Sequence, residues 1–510
     1  MADLHPMPVE TQDPGGAAER TARRARPASN AVYLTGANLG AKAFSFVFVL
    51  YATRALGPAL FGNYTTVLAF VGLFGVLTDL GLSTLAVRDV AQNRTLAVRY
   101  VSNLLALRVL FSVVAVVLSV GLAQVYVAPS LRHAVYVYAL ALVPLAVANS
   151  LQLVFQFSER MAYGAVFNVA AAAATAALSI LALYSGHHVL ALTVVFTAVT
   201  AASTATMAWL VYTRFLPRRL ELELAWWPRL LRAALPFVLL TLLNILYSRA
   251  DMQILYVLSG CGHRSGNTGC VPVGQFGAAY RVLDILVLIF VGSVNATTLP
   301  AFNRVVTESR EALTRLVRSS STLMLAFGVP VALFGTFYAR EALHVLGGRS
   351  YLAAAPALAI LVWAFPCFLV LSMFYNALYA VHRQGVVTAA FAVTLVFNVA
   401  LNVVLIPRFS YLASAALTVA SELVNGVIVV VALRRSIGSL RLGPAAAKIT
   451  AVAGGAAAVL WALRGYGIFV GLPVGVVLVL LGLRLTRLIG TTEREILEGM
   501  PLIGRYAALL

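Results

Sequence analysis

Residues 233–258 read AALPFVLLTLLNILYSRADMQILYVL. As a helix rising 1.5 Å per residue, this stretch exceeds the roughly 30 Å of hydrocarbon in a bilayer. It nevertheless carries Arg249 and Asp251 in its second half. A charge at the centre of a spanning helix costs roughly 2.5–3.5 kcal/mol on insertion scales. Such charges persist where they pair with another helix or face a wet cavity, so the rest of the chain must supply one or the other.

The same apolar pattern recurs throughout. The 510 residues are 61% hydrophobic and 11% charged, with a mean hydropathy of +0.91, whereas a soluble domain carries about 25% charged residues. Apolar runs punctuated by Arg, Pro or Gly give fourteen candidate spans: 30–53, 64–87, 99–126, 134–157, 163–184, 188–213, 233–258, 274–301, 318–338, 352–378, 385–406, 410–433, 445–464 and 467–489. The fold class is therefore an all-α polytopic membrane protein. Residues 1–29, with Arg20, Arg23, Arg24 and Arg26, lack the apolar core of a signal peptide and are expected to form a disordered basic tail. A second tail is expected over 490–510.

Basic residues set the orientation. With the N-terminus inside, about 26 of the 37 Lys and Arg fall on cytoplasmic segments and about 7 on the opposite loops, the asymmetry the positive-inside rule requires. Both termini are expected to be cytoplasmic, in a multi-pass cell-membrane protein. The net charge of +19 then reflects topology rather than a nucleic-acid partner. Eight charges remain within spans: Lys42, Arg108, Arg249, Arg281, Asp79, Asp251, Asp284 and Glu422.

Weak internal repetition divides the chain. LFGNYTTVL (60–68) matches QFGAAYRVL (275–283), and FQFSERMAYGAVFN (155–168) matches NALYAVHRQGVVTA (376–389), at offsets of about 215 and 223 residues. An even number of spans per unit makes the repeats parallel. The expected organisation is an N-terminal lobe over 30–213, a cytoplasmic linker over 214–232 and a C-terminal lobe over 233–435. Two further helices follow over 436–489. Two six-helix lobes of this kind suit a transporter with its site between them near mid-membrane. Pro144, Pro236, Pro330 and Pro366 fit helices that bend.

RALGPALFGNY (54–64), LTDLGLSTLAVRDVA (77–91), PFVLLTLLNILYSRADMQIL (236–255) and VGQFGAAYRVLDIL (273–286) together resemble the polysaccharide and O-antigen flippases of the multidrug/oligosaccharidyl-lipid/polysaccharide exporter superfamily. The resemblance runs from about residue 30 to residue 490 in span count and motif order. It implies an alternating-access carrier that moves a polyprenyl-diphosphate-linked oligosaccharide to the outer leaflet, with spans one, two, seven and eight lining the cavity. Six of the eight intramembrane charges lie on those four spans.

A diphosphate suits Lys and Arg, above all the planar, always protonated fork of Arg. Lys42, Arg249 and Arg281 are the substrate-binding candidates. Asp79, Asp251 and Asp284 are candidates for ion coupling or helix pairing, and Asp79, Arg88 and Arg108 are placed to line the cytoplasmic approach. Arg249 and Asp251 point about 200° apart on a helix, so they serve different sites. Arg281 and Asp284, at i,i+3, share a face. The expected partners are the lipid-linked oligosaccharide, membrane lipids and the polysaccharide polymerase machinery.

No cofactor or metal site is expected, since His187 and His188 have no further ligands nearby. No Asp-x-Asp motif, phosphate loop or catalytic triad occurs, and no loop exceeds about 20 residues. That disfavours a membrane glycosyltransferase or polymerase and leaves a multidrug exporter as the alternative. The loop SGCGHRSGNTGCVPVG (259–274) is expected to hold a disulfide between Cys261 and Cys270, on the oxidising outer face.

Overall fold

Gly57, at φ 65° and ψ 175°, breaks the first helix, Pro14–Gly75, into two. The chain reverses there. Phe48 and Tyr64, sixteen residues apart, meet edge to face at 6.1 Å, a contact that a straight helix forbids. The computed structural model describes residues 14–158, 160–215, 221–261, 269–486 and 488, and among them there are helices and turns but no strand. Spans one and two share this first helix. Because it starts at Pro14, the expected N-terminal tail is helical from that residue, while the C-terminal tail lies outside the described residues.

The remaining spans follow in order. Span two continues past a left-handed turn at Leu80 and Gly81 into Leu82–Gln92. Span three is Ala97–Tyr126, span four is Pro129–Leu140 joined to Leu142–Phe157, span five is Met161–Tyr184 and span six is Val189–Arg214. Spans seven and eight are the long helices Trp227–Leu258 and Val271–Val305, and span nine is Arg310–Phe337. Ala339–Gly347 is a short helix before span ten, which comprises Ala355–Leu361 and Ala364–Ala380. Spans eleven to fourteen are Gln384–Phe409, Tyr411–Ile437, Gly443–Ala462 and Ile468–Leu485. Val117, Trp209, Val427 and Leu485 are among the large apolar side chains left exposed on these helices, as lipid contact requires.

The parallel repeat is visible in the hydrogen bonds. Where span four meets span five, Arg160 N donates to Phe155 O and Ser158 N to Val154 O. Where span ten meets span eleven, Arg383 N donates to Leu378 O and Val381 N to Ala377 O. Every atom pair is displaced by the same 223 residues. Spans four and ten are also both broken, at Ala141 and at Val362–Trp363. Two six-helix lobes and two added helices account for the fourteen spans.

The lobes touch at both ends. At the Gly57 end, backbone meets backbone: a methyl carbon at Gly62 would lie 2.0 Å from the Cys270 carbonyl oxygen, and one at Gly274 would lie 1.8 Å from that of Pro58. Cys270 N donates to Ala59 O and to Asn63 Oδ1, each at 3.2 Å. Thr53 Oγ1 reaches Leu346 O at 2.8 Å. At the Trp227 end, side chains make the closure, with Leu82, Leu85 and Leu104 packed against Leu230 and Ala234. Asn103 accepts from Trp227 Nε1 and Glu223 N, both at 3.0 Å, fixing the start of span seven to span three. The cavity lies between these two closures.

Candidate functional site

Span seven presents opposite faces to two chambers. On one side, Arg249 and Arg281 line an inter-lobe cavity of about 360 Å³ with Thr65 and Leu68 of span two, Tyr138 of span four and Tyr280 of span eight. Both arginines are partly buried. Arg281 Nη1 lies 3.6 Å from Asp284 Oδ2, a pair that keeps exposures of 28% and 42% to the cavity. Arg249 has no hydrogen-bond or ion-pair partner among the described residues. Gln253, one helical turn further along, donates to Thr66 O at 3.4 Å.

On the other side, Asp251, Tyr247 and Glu422 line a second chamber of about 310 Å³ inside the C-terminal lobe. The two chambers share Ser248, Tyr280 and Asp284. Asp251 is buried and accepts from Asn402 Nδ2 and Thr418 Oγ1, both at 3.0 Å. Asn402 also bonds to Asn398 and takes a hydrogen bond from Ser414 at 3.1 Å, while Asn398 donates to Ser421. Glu422, equally buried, accepts from Tyr247 Oη at 2.5 Å. The donors around both carboxylates are neutral. A buried negative charge held by dipoles alone is a natural place for a small cation or a proton to bind.

The other candidates fall elsewhere. Lys42 is half-buried on span one, without a partner among the described residues, and is not part of the arginine-lined cavity. Asp79 pairs with Arg108 and accepts from Ser83 Oγ. Arg108 is fully buried and also donates to Ser83 and Ser150. That corrects the expectation that Arg108 lines a cytoplasmic approach: a side chain with no exposed surface ties spans two, three and four together. Arg88 pairs with its neighbour Asp89 on the surface. Cys261 and Cys270 are bonded, with Cα atoms 5.4 Å apart, and residues 262–268 of their loop lie outside the described residues.

Sequence reading missed the polar ladder around Asp251. Its one trace is Asn398 and Asn402, amides at i,i+4 in an otherwise apolar span, whose cost in hydrocarbon signals a partner. No group of His, Cys, Asp and Glu suited to a metal occurs among the described residues.

The sequence model for the polysaccharide biosynthesis protein family matches residues 28–306. No curated protein shows significant sequence similarity to the chain. Among solved structures, the chain is similar to a lipid II flippase, MurJ, in an inward closed conformation, with a TM-score of 0.73 and 10% identity over 89% of this chain and 98% of that one. An inward-facing multidrug resistance transporter of the MATE family and MOP superfamily gives a TM-score of 0.62 and 13% identity over 81% and 99%. A MOP superfamily transporter from Pyrococcus furiosus, described as having a binding pocket of reversed polarity, gives 0.52 and 16% over 81% and 96%. These likenesses, at such identities, concern the fold.

Proposed function

From the premise that the chain belongs to the polysaccharide biosynthesis protein family, within the flippase and exporter superfamily, we propose that it is a flippase for a polyprenyl-diphosphate-linked oligosaccharide. It moves this lipid from the cytoplasmic to the outer leaflet of the cell membrane by alternating access, for surface polysaccharide synthesis. The observation that carries the reading is the guanidinium of Arg249, without a hydrogen-bond or ion-pair partner among the described residues, beside Arg281 in one inter-lobe cavity. Two arginine forks at bilayer depth offer a diphosphate the charge-assisted hydrogen bonds it loses on leaving water. A cavity cationic and half apolar fits the junction between a phosphate and a lipid tail.

Lys42 serves as a further cationic contact on span one, where the lipid first meets the N-terminal lobe. Asp251, with Asp284 at the boundary of the two chambers, is the ion-coupling group; neutralising its carboxylate weakens the dipole ladder between spans seven, eleven and twelve. Asp79 acts as a helix-pairing residue through Arg108. Both termini face the cytoplasm, the Gly57 end is the outer gate, and the polysaccharide polymerase machinery receives the product. This is transport and not catalysis.

The second reading, a multidrug exporter of the same superfamily, is favoured by the acidic chamber, since Asp251 and Glu422 suit a cationic drug. One experiment separates the two. Purified protein in liposomes is expected to move a fluorescent lipid-linked oligosaccharide across the bilayer and to leave ethidium gradients unchanged. Ethidium transport without lipid transport would replace the flippase by the exporter. Reporter fusions at residues 215–228 are expected to read cytoplasmic and those at 262–269 external.

A further inference from the structure

A third chamber lies within the N-terminal lobe and differs in chemistry from the other two. It is an open recess of about 310 Å³ between spans one, four, five and six, and no charged side chain lines it. Its polar lining includes Ser45, Asn149, Gln152, Asn168, Thr200 and Ser203, with Thr175 and Thr204, set against the rings of Phe48 and Phe196. Its volume is at the lower end of the roughly 300–1,000 Å³ of small-ligand pockets.

The hydroxyls are free in a way their neighbours are not. A Ser or Thr in a membrane helix ordinarily returns its proton to a carbonyl one turn back. On span six, Thr193, Thr197, Thr204, Thr206 and Thr213 each bond to a backbone carbonyl. Among the described residues Thr200 and Ser203 have no such bond, and both face the chamber. Among the described residues Asn149 is likewise without a hydrogen-bond partner, and Ser45 is too. Gln152 Nε2 donates to Asn168 Oδ1 at 3.0 Å, which leaves the other end of each amide open. Donors and acceptors on four spans therefore face one chamber, with Ser45 and Asn149 exposed at it and Gln152, Asn168, Thr200 and Ser203 half-buried.

The chamber adjoins the arginines. Phe196 packs on Tyr138 at 5.0 Å, and Tyr138 lines the cavity that holds Arg249 and Arg281. Lys42 stands one helical turn from Ser45. The packed rings of Tyr138 and Phe196 thus form the boundary between the arginine-lined cavity and an uncharged pocket of amides and hydroxyls.

We propose that this chamber is the subsite for a neutral sugar of the substrate, the one nearest the diphosphate. The proposal rests on the flippase reading above. Sugar hydroxyls both donate and accept, matching Asn149, Gln152, Asn168, Thr200 and Ser203, and the C–H faces of the ring meet Phe48 and Phe196. The lining has no carboxylate to hold an amino sugar or a cationic drug.

The test compares binding, in nanodiscs, of a polyprenyl diphosphate bearing a neutral trisaccharide with that of the same lipid lacking sugar. Wild type is expected to bind the sugar-bearing lipid about tenfold more tightly. Asn149→Leu with Ser203→Ala removes that preference and leaves affinity for the sugar-free lipid unchanged. Thr200→Val, which keeps shape and loses only the hydroxyl, gives a smaller loss confined to the sugar-bearing lipid and covers the case of a misfolded double variant. Arg249→Ala with Arg281→Ala weakens both ligands alike. Equal wild-type affinities, or variants that weaken both lipids together, would overturn the subsite while leaving the flippase reading standing. Failure of wild type to bind either lipid would overturn that reading, and the subsite with it.

Discussion

Arg249 and Asp251 are two residues apart on span seven, and their surroundings differ in kind. Asp251 is buried and anchored to spans eleven and twelve by Asn402 and Thr418. Arg249 faces the inter-lobe cavity without a hydrogen-bond or ion-pair partner among the described residues. Both charges carry the same insertion cost, yet one face of the helix spends it on internal hydrogen bonds and the other leaves it open. The difference separates what holds the C-terminal lobe together from what remains for a ligand. Span three shows the closed case again: Arg108 is fully buried and consumed by Asp79, Ser83 and Ser150.

The comparison makes the two faces respond differently to substitution. Arg249→Ala combined with Arg281→Ala is expected to lower lipid translocation in liposomes by at least about 100-fold, the equivalent of about 2.7 kcal/mol, with the melting temperature unchanged. Translocation within a few-fold of wild type in that double variant removes the open face from the mechanism. Asp251→Leu is expected to act on the fold: hydrogen bonds to a buried charged group contribute about 1.5–3 kcal/mol, so the variant melts lower and reaches the membrane in reduced amount. An Asp251→Leu protein with wild-type thermal stability makes the two faces alike and breaks the comparison.

Arg249→Lys gives a finer reading. Charge survives while the planar fork is lost, so translocation drops by about tenfold and partial activity remains. Full activity would show that only the charge matters there. The smallest effect belongs to the disulfide, which joins the end of span seven to the start of span eight. Cys261→Ser with Cys270→Ser is expected to slow translocation two- to threefold and to leave the affinity for a sugar-free polyprenyl diphosphate unchanged. A large loss of that affinity would make the loop part of the site itself.

Amino-acid order alone determined the membrane-spanning class, the fourteen spans and the parallel repeat. Runs of about 20 apolar residues have one stable solution in a bilayer, a hydrogen-bonded helix, and a repeated joint such as 155–168 and 376–389 keeps its hydrogen bonds wherever the helices pack. It also selected Arg249, Arg281 and Asp251, because a charge in hydrocarbon stands out by its cost, and the 200° between Arg249 and Asp251 follows from helical pitch. Packing alone decided which charges stay free. Arg108 and Arg249 look equally stranded in sequence; Asp79, 29 residues away, pairs with the first, and no described residue pairs with the second. Asn402 and Thr418 lie more than 150 residues beyond Asp251, and Thr204 finds Pro144 O on span four while Thr200 and Ser203, lining the same chamber, have no partner among the described residues. A hydrogen bond forms across a few ångströms of space, and the helix that supplies its other half is chosen when the bundle closes.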